Sequence, residues 1–321
     1  MYKFLSMIII ITIAIFSANS FAKSSALIEF GNNPGELSAS YFQGAKTNKN
    51  LIVLLHGCVQ QGETLAEQTG LMALAKKKKF SLLIPQQSQN NNIKGCFNWF
   101  STQDIEKNQG ESLSIKNMIS TVNAKQNFSN IYIIGLSAGG AMASSMVVNY
   151  PELFTAGAIV AGIPYPCADN LITAIACMRS GPSQTSEQLT TLIKQLNKVQ
   201  PHWPALSIFT GDTDAVVNPK NSQHLAIHWA QLTESVQQPI ISKYQGYQVS
   251  QWHGKNKQTN VELIEIEDMG HGITVAPEKT DGGIEAPFVI SAPFSPCLLY
   301  QSDPTQPEES VPHGRTPSLN K

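Results

Sequence analysis

The hexapeptide Gly135-Leu136-Ser137-Ala138-Gly139-Gly140 follows the apolar run Ile131-Tyr132-Ile133-Ile134 and precedes a helix-forming stretch. A G-x-S-x-G placed there forces the chain through a strained strand-to-helix turn, because only glycine neighbours let the crossing strand and helix approach. The turn lifts the serine hydroxyl above the sheet. The N–H groups that follow sit at a helix N-terminus, where unpaired donors and the positive dipole end can stabilise an oxyanion. Ser137 is therefore a candidate nucleophile, and the chain around it is expected to alternate strand and helix.

That alternation runs along the sequence. The continuous apolar run 51–55 reads as a strand buried on both faces, and 80–84 reads as a second buried strand, stopped by Pro85. A helical stretch through Leu65, Leu71, Met72, Leu74 and Ala75 lies between them. Helices are expected over 112–126, 141–149 and 223–232, and strands over 131–134, 156–161, 205–209 and 261–266. The polar segment 23–50 suggests an entry strand or two. The pattern implies an α/β fold with a mainly parallel central sheet and helices on both faces. A long insertion between Pro164 and Pro204, with a polar helix over 185–198, is either a cap over the site or a surface excursion.

With 42% hydrophobic and 14% charged residues among 321, the chain suits one globular domain, placed at 23–301. A net charge of −1 gives no argument for nucleic acid or an anionic membrane as partner. The run Lys76-Lys77-Lys78-Lys79 closes a helix, where cations complement the dipole. At the N-terminus, Lys3, an apolar stretch from Met7 to Phe16 and Ser20-Phe21-Ala22 form a secretory signal pattern over 1–22. The expected product is a secreted or periplasmic protein that is not integral to the membrane once cleaved. The segment 302–321, rich in Pro, Glu and Ser, is expected to be disordered. Export permits disulfides, and five cysteines leave at least one unpaired within the chain. Cys58 with Cys96 and Cys167 with Cys177 are the preferred pairs, although sequence does not fix connectivity.

A serine hydroxyl needs a histidine to remove its proton, and the histidine needs a carboxylate to fix its tautomer and stabilise its charged form. In this architecture the order is Ser, then Asp or Glu, then His, the last two on loops after later strands. Asp212 and Asp214 in Thr210-Gly211-Asp212-Thr213-Asp214 compete for the acid. Among seven histidines, His271 in Met269-Gly270-His271-Gly272 combines the expected order, position and glycine freedom. The first strand ends in Leu55-His56-Gly57-Cys58, and the early loop of such sheets supplies an oxyanion donor. The backbone N–H groups of Cys58 and Ala138 are the candidates. His56 reads as a loop organiser and Cys58 as a structural disulfide partner. Two aspartates on one short loop do not make a metal site, so neither metal nor cofactor is expected.

Leu55-His56-Gly57-Cys58-Val59-Gln60, Cys96-Phe97-Asn98-Trp99-Phe100 and Gly135 through Gly140 resemble the poly(3-hydroxybutyrate) depolymerase family of esterases. Pro151-Glu152-Leu153-Phe154, Gly162-Ile163-Pro164-Tyr165, Gly211 through Pro219 and Gly270-His271-Gly272 extend the likeness. The sequence is similar also to the feruloyl and acetylxylan esterases that share the catalytic domain. The resemblance implies an α/β-hydrolase fold, places the acid at Asp214 and favours the pairing of Cys58 with Cys96. Phe97 stands where the family usually has tryptophan. No threonine-rich linker or polymer-binding domain of the kind usual in secreted polymer depolymerases is recognised.

The expectation is a serine esterase working through Ser137, Asp214 and His271 on poly- or oligo(3-hydroxybutyrate) esters. Feruloyl or acetylxylan esters are the alternative substrates, and a catalytically silent hydrolase-fold binding protein is the alternative of another class. Trp99, Phe100, Tyr165 and Trp252 are candidates to line an acyl or polymer groove, where aromatic faces pack on apolar substrate.

Overall fold

Alternate side chains of each apolar strand enter opposite cores, which is why these runs show no polar face. In β3 (Asn50–Leu55), Leu51, Val53 and Leu55 belong to one cluster and Ile52 and Leu54 to the other. Each fully buried aliphatic side chain contributes roughly 1.5–3 kcal/mol, so a strand of this kind is fixed in register from both sides. The computed structural model describes residues 24–197, 202–292 and 295–296. The expected signal segment 1–22, the tail 302–321 and Cys297 lie outside the described residues.

Before β3 come β1 (Ser25–Ala26) and β2 (Ser38–Phe42), the entry strands expected in the polar segment. After it come α1 (Gly62–Gln68), α2 (Leu71–Lys78), β4 (Ser81–Gln86), α3 (Thr102–Ile105) and α4 (Gly110–Gln126). Then follow β5 (Asn130–Leu136), α5 (Ala138–Asn149), β6 (Ala156–Val160), α6 (Leu171–Ser180), α7 (Ser186–Leu196), β7 (Ala205–Gly211) and α8 (Lys220–Leu232). The described chain closes with β8 (Ile240–Tyr244), β9 (Tyr247–His253), β10 (Thr259–Ile266), β11 (Ile273–Val275) and β12 (Val289–Ser291).

One ten-stranded sheet has the order β1-β2-β4-β3-β5-β6-β7-β10-β9-β8. The strands from β4 to β10 in that order run parallel, and both ends of the sheet are antiparallel. Apolar residues of α4, α5, α7 and α8 cover one face, while α1, α2, β11 and β12 cover the other. This is the mainly parallel sheet covered on both faces that the alternation implies, and the α/β-hydrolase fold that the resemblance implies. Its parallel strands all deliver their carboxyl ends to one edge, where the following loops meet.

Four local details depart from the sequence reading. The helix expected through 65–75 breaks in two at Gly70, which adopts φ +76° and lies so close to another segment that a Cβ would sit 2.2 Å from Asp281 O. Pro85 does not stop β4: it pairs with Ala39 of β2 beyond the last residue paired with β3, so its missing N–H leaves no β3 acceptor unmet. The hairpin of β8 and β9 turns tightly at Gly246 (φ +82°) and extends the sheet past β10. The insertion holds two helices, each opened by a capping box, from Asn170 and Thr173 and from Thr185 and Gln188. α6 lies at the start of α8, with Asn221 Nδ2 donating to Cys177 O at 2.9 Å. α7 lies against α8, with the Thr190 hydroxyl donating to Gln231 Oε1 at 2.7 Å.

Candidate active site

Ser137 sits between β5 and α5 at φ 57°, ψ −119°, a conformation that costs a non-glycine residue roughly 1–3 kcal/mol unless its surroundings impose it. They do so here. The Ser137 N–H donates to Val160 O at 2.9 Å, and α5 begins so near β3 that a Cβ on Gly139 would lie 2.3 Å from Leu55 O. The result is the strained strand-to-helix turn that the glycines predict.

Two other loops converge on this serine. The loop after β7 carries Asp214, whose side chain is fully buried and whose Oδ1 accepts the N–H groups of Val216 at 2.8 Å and Val217 at 2.9 Å. The loop after β10 carries His271, and the Thr213 N–H donates to Met269 O, tying the two loops together. His271 Nδ1 lies 2.7 Å from Asp214 Oδ2, and Nε2 lies 2.9 Å from Ser137 Oγ. Asp212, the rival acid, is exposed at the surface of its loop. With a carboxylate on Nδ1, the imidazole carries its proton there and presents a free Nε2 lone pair to the serine. Such a chain can take a proton from the hydroxyl as it attacks a carbonyl carbon.

The oxyanion side is formed by the turn after β3. Gly57 and Cys58 line the cleft together with Ser137 and Ala138. Among the described residues, neither the Cys58 nor the Ala138 N–H donates to another protein group. Both are therefore open to a developing negative charge, that of Ala138 reinforced by the N-terminus of α5. His56 is wholly buried behind the turn, with its ring 4.9 Å from that of Phe97 and its pKa lowered by burial. Gln60 Oε1 accepts the Gly57 N–H at 2.8 Å and shapes the same turn. Cys58 is bonded to Cys96, and Cys167 to Cys177, the two pairings preferred from sequence.

The cleft over Ser137 has a volume of about 200 Å³ and walls that are mostly apolar. Of the four aromatic candidates, Trp99 lines it. Phe100 meets Trp99 edge-on at 5.7 Å and is not itself a wall. Tyr165 is buried and faces a separate groove of about 800 Å³ between α3, α6 and α7. Trp252 is a core residue of β9 on the α8 side of the sheet. These two do not reach the cleft, because residue type signals an aromatic surface but not its direction. Ile163, Met178, Val216, Val217 and Phe288 also line the cleft; Ile163, Val216 and Val217 lie inside segments that carry the family resemblance, whereas Met178 and Phe288 had no motif to mark them.

A family model described as esterase PHB depolymerase matches residues 39–239. The chain belongs to the PHB depolymerase esterase family. Among curated members of related families, it is 34% identical over 273 residues to poly(3-hydroxyalkanoate) depolymerase C of Paucimonas lemoignei, covering 83% of this chain and 66% of that protein. It is 26% identical over 238 residues to feruloyl esterase B of Thermothelomyces thermophilus, covering 68% of this chain and 78% of that one. Among solved structures, the acetyl xylan esterase from Aspergillus awamori superposes with a TM-score of 0.70 at 20% identity, covering 78% of this chain and 94% of that one. The last comparison speaks to the fold alone. Membership of the PHB depolymerase family places the chain among esterases, and the chain spans 66% of the length of the depolymerase it matches. No helix among the described residues is long and apolar enough to cross a membrane.

Proposed function

We propose that this esterase is an exported serine hydrolase of short poly- or oligo(3-hydroxybutyrate)-type esters, working through an acyl-enzyme. Ser137 Oγ attacks the ester carbonyl while His271 Nε2 takes its proton. The carbonyl oxygen, now negative, is received by the Cys58 and Ala138 N–H groups. His271 returns the proton to the leaving alcohol, and Asp214 stabilises the imidazolium formed in between. Water, deprotonated by the same histidine, then releases the acid and frees Ser137.

The observation that carries this reading is the unbroken hydrogen-bonded chain from Asp214 through His271 to Ser137, beside the Cys58 and Ala138 N–H groups, which donate to no other protein group among the described residues. The substrate class is supported by the depolymerase relative and by the cleft. At about 200 Å³ it lies below the roughly 300–1,000 Å³ of sites for drug-sized ligands, a size suited to a short acyl unit. Export is supported by the two disulfides, which persist in oxidising compartments.

Hydrolysis of a soluble 3-hydroxybutyrate trimer and of methyl ferulate by the purified protein, compared as kcat/KM, tests the reading. Preference for the trimer is expected, and Ser137→Ala is expected to lower kcat by roughly 10⁴–10⁶-fold. Turnover unaltered in Ser137→Ala would reject the mechanism; preference for the ferulate would reject the substrate. An unreactive Ser137 toward a fluorophosphonate would instead mark a silent binding protein.

A further inference from the structure

Glu111, in the first turn of α4, is fully buried and takes no part in the chemistry above. Both carboxyl oxygens are engaged. Oε2 accepts the Asn98 N–H at 2.9 Å, while Oε1 accepts Gln87 Nε2 at 2.5 Å and Asn91 Nδ2 at 3.2 Å. All three donors are neutral, and no lysine or arginine pairs with the group among the described residues. Burial, and to a lesser degree the charge of Asp104, pushes its pKa up to about 8. A carboxyl group desolvated without a cation is expensive to keep, and what its oxygens hold is what distinguishes it from an apolar residue of the same size.

One branch leads to the oxyanion turn. The Gln87 backbone N–H donates to His56 Nε2 at 3.1 Å, so the His56 proton resides on Nδ1, which donates to Gly57 O at 2.7 Å. The Gly57 carbonyl and the Cys58 N–H belong to a single planar trans peptide and point in opposite directions. Anchoring the carbonyl on buried His56 therefore aims the Cys58 N–H away from it, into the cleft. The Gln87 side chain that Glu111 grips also donates to Cys96 O at 3.1 Å, and Cys96 is bonded to Cys58. The other branch is shorter: Asn98, held by Oε2, immediately precedes Trp99, the aromatic wall of the cleft.

We propose that Glu111 is a positioning residue that holds the oxyanion turn and the Trp99 wall in a single register. The proposal rests on the serine esterase reading. In Glu111→Gln one acceptor oxygen becomes an NH₂ group facing a donor, so the side chain keeps its shape but no longer anchors the two branches together, and both lose their common register. Gln87→Met keeps the backbone donor to His56 and removes the side-chain links to Glu111 and Cys96, together with the oxygen that accepts from Ser88 N–H and Asn91 Nδ2, while leaving Asn98 on Glu111.

The test is kcat and KM for the 3-hydroxybutyrate trimer, together with affinity for an aliphatic trifluoromethyl ketone. That ketone forms a hemiketal with Ser137, its oxygen taking up the charge that the oxyanion donors receive. Glu111→Gln is expected to lower kcat about 10- to 100-fold and to weaken the ketone by a similar factor, with KM rising severalfold. Gln87→Met is expected to reproduce the losses in kcat and ketone affinity without the rise in KM. The double variant should lose no more kcat than Glu111→Gln alone, since both act through one network. A merely structural role would lower thermal stability without selectively weakening the ketone. Should Glu111→Gln fail to fold, Gln87→Met decides the oxyanion branch alone.

Wild-type kcat and ketone affinity in either variant, or additive losses in the double, would overturn the proposal while leaving the esterase reading in place. Absence of Ser137-dependent turnover in the wild type would overturn that reading, and the proposal with it.

Discussion

Replacing Asp214 by asparagine removes a charge without changing a shape, and the surroundings determine which way the new amide turns. Oδ1 of Asp214 already accepts two backbone N–H groups, from Val216 and Val217. An asparagine must keep its oxygen there, because its NH₂ would oppose both donors. The NH₂ is then forced onto His271 Nδ1, 2.7 Å away in the parent. That nitrogen has to become the acceptor, the ring proton moves to Nε2, and the lone pair that faces Ser137 Oγ at 2.9 Å is lost. In serine proteases this wrong-tautomer effect costs about 10⁴ in kcat, roughly 5.5 kcal/mol of barrier. Here Asp214→Asn is expected to lower kcat for the hydroxybutyrate trimer by roughly 10³–10⁴-fold with KM within a factor of about three. Asp212→Asn, on the exposed neighbour, serves as the control and should leave kcat unchanged. An Asp214→Asn variant within tenfold of the parent, or an equal loss in Asp212→Asn, would refute the assignment of the acid.

Two further outcomes follow from geometry already described. In Gly139→Ala the new methyl meets Leu55 O at 2.3 Å, and relief requires the start of α5 to move by about 1 Å relative to the oxyanion turn. Strain of about 1–3 kcal/mol and a roughly 100-fold loss of kcat/KM are expected, read by thermal unfolding and steady-state kinetics; parental activity would contradict the close approach. Glu111 gives a pH signature in stability. Its folded pKa, raised to about 8, exceeds the unfolded value, so the folded state holds the extra proton between the two. Its contribution is fully present below the ordinary carboxyl pKa and is lost as pH rises through about 8. At about 1.4 kcal/mol per pH unit, Glu111→Gln should therefore gain on the parent by several kcal/mol between pH 5 and pH 8. Urea unfolding at both pH values measures it, and a pH-independent difference would contradict the buried neutral acid.

The sheet was largely legible because β3 is buried on both faces and reads as an unbroken apolar run, while β5 and β7 are apolar for most of their length. Ser137 and His271 were legible for a different reason: a strained turn and a late glycine-flanked loop leave marks in local sequence. Asp212 and Asp214 could not be separated by local rules, since both follow β7. The family resemblance pointed to Asp214, and the two backbone donors and the histidine facing it give the physical difference. The β8–β9 hairpin escaped because the side chains of β8 are mostly exposed and lack a buried stripe. Trp252 and Tyr165 misled because an aromatic serves a core as readily as a cleft. Glu111 left no local trace, its partners coming from 24, 20 and 13 residues away in the chain.

Ser137 and His271 stand 134 residues apart in sequence and become neighbours only when β10 has paired beside β7. A chain that has closed the earlier part of its sheet, with its nucleophile already on the elbow, still lacks its base. Any ester turnover through this serine and histidine therefore awaits the placement of β10, and its onset during refolding becomes a clock for the docking of the last parallel strand of the ten-stranded sheet.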